Sequence, residues 1–163
     1  MMTVHERRAS KRVFRLALTL FACVLCFMTA ACGDEVKKAT VGSKSAANEG
    51  AAIGALRTIA SAESIYAASH EGDYGTLSQL VEAGQLDVRF SGSPTVVGGY
   101  VLTMKVSPKD TAGGQPGAYT VNADPQQNVA EAATGNRHFC LDSSDGQIHV
   151  NAKQTASASD PTL

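Results

Sequence analysis

Residues 16 to 31 form an unbroken run of sixteen uncharged, mostly apolar side chains, preceded by Arg7, Arg8, Lys11, Arg12 and Arg15 and closed by Cys32. A block this dense would dominate the core of a small domain, so it has to be set apart before any fold is considered. As a helix rising about 1.5 Å per residue it spans about 24 Å, less than the roughly 30 Å of hydrocarbon that a stable transmembrane helix crosses. A basic flank followed by a short apolar block is the pattern of an export signal whose positive end stays in the cytoplasm. The chain therefore divides into a signal peptide at 1–31, a tether at 32–47, a domain at 48–151 and a disordered tail at 152–163.

Removing the signal changes the charge balance. The whole chain of 163 residues carries 14 basic and 15 acidic side chains. Five of the basic ones and Glu6 leave with 1–31, so nine basic and 14 acidic remain, a net charge of about minus five. An acidic surface without a basic stripe argues against nucleic acid as a partner, because neutralising phosphates takes clustered Lys and Arg. There is no Trp and aromatics make up 6% of the residues, which disfavours a stacking platform for bases or sugars.

The end of the apolar block, Thr29-Ala30-Ala31-Cys32-Gly33, resembles the lipobox of bacterial lipoproteins. Small side chains before the cut let a peptidase approach the backbone, and only Cys can carry a thioether-linked diacylglycerol. The resemblance implies cleavage between Ala31 and Cys32, palmitate-type acylation of Cys32 and membrane lipid as a partner. Several acyl chains at about 0.8 kcal/mol per buried methylene make such an attachment effectively permanent. Gly33 in place of Asp implies the outer membrane, with the periplasmic face of the inner membrane as the other location. The departure is Thr29, where that motif usually has Leu. The open alternatives are an ordinary signal-peptidase cut near Ala30 and Ala31, an uncleaved anchor, and a twin-arginine route through Arg7 and Arg8.

Beyond Cys32, residues 33–47 are small, polar and mixed in charge, the composition of a flexible tether with an r.m.s. reach of about 20 Å. From 48 to 69, Ala52, Ile53, Ala55, Leu56, Ile59, Ala60, Ala62 and Tyr66 recur at helical spacing, which predicts a helix of about twenty residues. Ser45 or Asn48 is placed to cap it, and His70-Glu71-Gly72 to stop it. Gly50 and Gly54 point either to another backbone packed close to the first turn or to fraying there. Thr76 and Gln79 have capping-box spacing for a short helix over 77–83. After Gly92 and Pro94, β-branched and aromatic residues predict a strand over 95–106, then strands at 117–123, 137–141 and 147–151. The last two flank Asp142, Asp145 and Gly146, a hairpin loop, and put Phe139, Leu141, Ile148 and Val150 on one face. The expected fold is α+β, a long helix packed on an antiparallel sheet of about four strands.

This order, with Asn48-Glu49, Ala52-Ile53-Gly54, Leu56-Arg57-Thr58-Ile59, Ala62-Glu63 and Tyr66, is similar to the soluble part of type IV pilins and type II secretion pseudopilins. Gly72-Asp73-Tyr74, Leu77 and Leu80 continue the similarity, as do Gly99-Tyr100, Tyr119 through Pro125, Gly135 through Phe139, and Asp145-Gly146. The resemblance covers roughly 48–151 and implies a structural or interaction role in the cell envelope, accessory to a pilus or secretion system. Pilins retain an apolar helix with a Glu, preceded by Gly at the cut. Here no Gly precedes the block and no acid lies within it, so the resemblance does not extend to a filament subunit.

Candidate chemistry outside Cys32 is sparse. Cys23 and Cys26 have redox-motif spacing but fall inside the signal. His138 and Cys140 are two apart on one strand, and His149 lies on its hairpin partner, so the three are weak candidates for zinc or for a nucleophile pair. The bland reading is a polar sheet face with Cys140 under a loop. Glu63 falls on the apolar side of the long helix, one turn before Tyr66, where a buried functional acid is one reading and a rim carboxylate bound to Arg or to a backbone amide is the ordinary explanation. Asp142 and Asp145 are too closely spaced to hold calcium alone, and turn formation accounts for them. Gly113-Gly114 is followed by no Lys-Ser/Thr and reads as a strand connection. No acid, base and nucleophile form a set, so no enzyme and no cofactor are expected. The expected function is that of a lipid-anchored envelope module, with a ligand- or metal-binding lipoprotein as the alternative.

Overall fold

The computed structural model describes residues 32–110, 112–126 and 134–163, with side chains from 42 onward. It divides into two units, Met1–Thr40 and Val41–Leu163. In the first, the described residues are helical. The second holds the packed domain. Helix α1 is Cys32–Ser69, followed by the short helix α2, Leu77–Glu82, and a 3-10 turn at Val88–Phe90. Five strands follow: β1 Thr95–Val97, β2 Tyr100–Ser107, β3 Ala118–Pro125, β4 His138–Asp142 and β5 Ile148–Asn151. They form one sheet in the order β1-β2-β3-β4-β5 with every pairing antiparallel. The fold is α+β, as the sequence implies.

The α1 stripe that faces the sheet is read at helical spacing from Ser45 through Glu49, Ala52, Leu56, Ile59, Glu63 and Tyr66, all buried. The helix therefore starts ahead of Asn48, and residues 42–47, expected as the end of a tether, belong to the helix that packs on the sheet. Its extra turn carries Ser45 on the buried stripe, one turn before Glu49, where a hydrophobic count sees nothing. Helix-favouring Ala, Lys and Glu hold the conformation. The helix runs through Gly50 and Gly54 without a break, and nothing lies within 4 Å of where their Cβ atoms would be. Close approach occurs beside them instead: a Cβ on Gly98 would meet the Ala51 Cβ at 2.7 Å.

Gly98 and Gly99 also split the strand expected over 95–106. Both have positive φ, +57° and +75°, so the chain reverses there and Thr95 pairs with Leu102. A Gly-Gly pair between β-branched runs is the chemistry of a two-residue hairpin turn. The sheet consequently has five strands where about four were expected.

Register aligns the core. Leu102, Ala123, Phe139 and Val150 form one row across β2 to β5, and Met104, Val121, Leu141 and Ile148 the next. Ala52, Ala55 and Ala62 on α1 are short enough to let the helix lie on these rows, with Leu56 and Ile59 between them. Leu80 on α2, with Leu86 and Phe90 beyond it, closes the core. The α2 cap follows the expected pattern: the Thr76 hydroxyl accepts from the Gln79 N–H, and the Gln79 side chain accepts from the Thr76 N–H.

The segment 152–163, expected to be loose, is tied down. Val150 N–H donates to the Pro161 carbonyl, Leu163 N–H donates to the Ile148 carbonyl, and Thr162 bridges His149. The Asn122 amide donates to the Ala156 carbonyl at 2.7 Å, and Ala156 is buried. Backbone pairing to the outer side of β5 supplies what the Ser- and Ala-rich composition lacks in apolar area.

Candidate functional site

Cys32 is the first residue of α1, at the edge of the described chain. Ala31, the cleavage position and the apolar block with Cys23 and Cys26 lie outside the described residues. No helix among the described residues is long and apolar enough to cross a membrane.

The second candidate group is the outer face of the sheet. Alternation along β4 turns Phe139 and Leu141 to the core and His138, Cys140 and Asp142 to the other side. Cys140 pairs with Asn122 on β3 and with His149 on β5, so the expected neighbourhood of Cys140 and His149 exists. The C-terminal segment lies over it, which is why β4 is buried on both faces.

Each member of the group is engaged by the chain. His149 is 3% exposed; its Nδ1 faces the Asp160 carbonyl at 2.7 Å and its Nε2 faces Asp145 Oδ2 at 3.0 Å. His138 Nδ1 pairs with Asp124 Oδ1 on β3, at the border of a shallow groove lined by Gly135, Asn136, Ala152 and Lys153. Burial, then the negative charges of Asp142 and Asp160, push the Cys140 thiol up to about 11, against an opposing hydrogen bond from Asn122. A thiol held protonated is a poor nucleophile at neutral pH. Among the described residues no cluster of three or more His, Cys, Asp or Glu is placed to hold a metal ion.

The Asp142 to Gly146 loop is built by its own side chains. Asp142 Oδ1 accepts from the Ser144 N–H and Asp145 Oδ1 from the Gln147 N–H, while Gly146 takes a φ of +67°. Burial acts to raise Asp142, but hydrogen bonds from Ser144 and Thr120 and the nearby His149 outweigh it and hold the carboxyl below its usual range. The turn uses the Asp142 and Asp145 oxygens that a cation would need.

Two acids on α1 are bound in ways that spacing alone does not reveal. Glu49 accepts from the Asn136 N–H through Oε1 and from Arg137 Nε through Oε2 at 2.8 Å, so it fastens α1 to the chain entering β4. Arg137 lies 88 positions away, too distant for any local pattern to predict. Glu63 is fully buried, not at the rim, and accepts the Gly75 N–H at 3.0 Å. The backbone-amide part of the expectation holds; the rim position does not, because Tyr74 and Gly75 fold over the helix at that point.

Compared with protein families, with curated proteins and with solved structures, the chain shows no significant match.

Proposed function

We propose that this chain is an exported lipoprotein, fixed to the cell envelope through acylated Cys32, whose α+β domain acts by surface contact and not by catalysis. The carrying observation is Cys32 itself, directly after Thr29-Ala30-Ala31 and an uncharged block too short to span a bilayer. The engaged state of His138, Cys140 and His149 supports a non-enzymatic reading over the ligand- or metal-binding alternative. A long helix, a short helix and then antiparallel strands support the pilin-like part of the reading, an accessory or display role near a type IV pilus or type II secretion assembly.

Mass spectrometry of the native N-terminus tests the anchor. A first residue at Cys32 carrying acyl mass is the expected result, together with palmitate labelling that disappears in Cys32→Ser. A native protein that begins upstream of Cys32, or labelling that survives the substitution, overturns the proposal. Crosslinking in intact cells tests the contact role: capture of envelope proteins supports it, and capture of metal or small molecules alone defeats it.

A further inference from the structure

Glu63 is the buried ionisable side chain for which neither the anchor nor the sheet face has a use. It sits on the core stripe of α1 with no exposed surface. Oε2 accepts the Gly75 N–H at 3.0 Å, and Oε1 has neither donor nor acceptor within hydrogen-bond reach among the described residues, so the neutral acid leaves one O–H unpaired where the anion leaves a desolvated charge. An ionised carboxylate offers about four lone-pair sites, and a single N–H serves one of them. No Lys, Arg or His is paired with Glu63 among the described ion pairs. A buried anion with so little compensation is strongly disfavoured, and the neutral acid is the form this pocket accommodates.

The Gly75 amide reaches Glu63 because residue 75 has no side chain: a Cβ there would come within 3.1 Å of the Tyr66 ring. On one side of Gly75, the Tyr74 ring meets Tyr119 edge-on, centroids 4.7 Å apart. On the other, Thr76 caps α2. The groups around the carboxyl are thus Tyr66 from α1, Tyr74 from the connection and Tyr119 from β3. Burial first, then the charge of Glu63 and Tyr74, push the Tyr119 phenol up to about 12, so the phenol stays neutral while the acid titrates. On the outer side of the same connection, Lys109 Nζ donates to the Glu71 carbonyl at 2.8 Å and Lys109 N–H to Asp73 Oδ1 at 3.2 Å, tying it to the β2–β3 loop.

We propose that the neutral Glu63 carboxyl is a proton-operated latch that keeps the 70–76 connection closed on α1, and that loss of its proton loosens this connection and the start of α2. Burial, opposed by the Gly75 hydrogen bond, pushes the carboxyl up to about 7, which sets the latch in the neutral range. Ionisation strengthens the single Gly75 N–H bond but leaves the rest of the charge without hydrogen-bond donors, and water admitted by displacement of the Tyr74-Gly75 segment relieves it, while Lys109 limits the opening to the inner contact.

Amide hydrogen exchange of the full chain across pH 5.5 to 8.5, corrected for the intrinsic pH dependence, tests the latch. In the wild type, amides of 70–76 should lose protection about tenfold or more between pH 6 and 8, with Glu63→Gln keeping a flat profile. Equal profiles in the two proteins overturn the proposal. Should Glu63→Gln not fold, carbon NMR titration of Glu63 in the wild type decides instead. A midpoint near 7 supports the latch, and a midpoint in the ordinary carboxylate range overturns it.

Discussion

At Glu63 the folded chain binds a proton more tightly than the unfolded chain does, because burial raises the carboxyl from 4.5 to about 7. The stability linked to this proton is complete below pH 4.5 and is lost as pH rises through 7. Glu63→Gln should therefore melt with the wild type at pH 4.5 and above it at pH 8, by at most about 3 kcal/mol. Thermal melts of both proteins at the two pH values measure the difference. Cys140 gives a second residue-scale expectation. Its thiol, 1% exposed and pushed up to about 11, should react with a disulfide reagent at pH 8 at least about 100-fold more slowly when folded than in denaturant. Spacing along the helix placed Glu63 on the inner face and alternation placed Cys140 beside His149. Depth was illegible in both cases, because it is set by Gly75 folding over α1 and by the C-terminal segment over β4.

Elements that depend on neighbours in sequence were readable. The α2 cap is one: Thr76 and Gln79 are three apart and satisfy each other's donors, so Thr76→Ala should lower stability by about 1 kcal/mol in a urea titration. The shared inner face of β4 and β5 followed from alternation, and the hairpin at Asp142 to Gly146 from its turn residues. The Gly98-Gly99 reversal was present in the sequence as a dipeptide but was masked by the β-branched run on either side. The C-terminal segment had no such signal, since it is held by backbone groups and by Asp160. The Asp160 carboxylate accepts from the Ser157 N–H, the Ser157 hydroxyl and the Asn151 amide. Those bonds, the Ser157 amide foremost, keep it below its usual range despite the opposing effect of burial. Asp160→Ala should lower stability and speed labelling of Cys140, read by chemical denaturation and by thiol kinetics.

For the whole molecule, charge and anchor act independently. On the proposed processing, residues 32–163 carry about five net negative charges and would gain nothing from anionic head groups, which attract Lys and Arg. The proposed attachment would then rest on acyl chains alone, and Cys32→Ser should move the protein from the detergent phase to the aqueous phase in a partition experiment. A protein that stays with the membrane after this change would have another means of holding on. The pinned C-terminal segment bears on how copies can meet. Among the described residues it occupies the outer side of β5 and leaves β1, with half-exposed Val96, as the border without a strand beside it. Growth by strand addition needs two free borders, one to receive and one to offer. Among the described residues the sheet has at most one border open to a strand, so strand addition between copies would end at a pair and not propagate into a fibre.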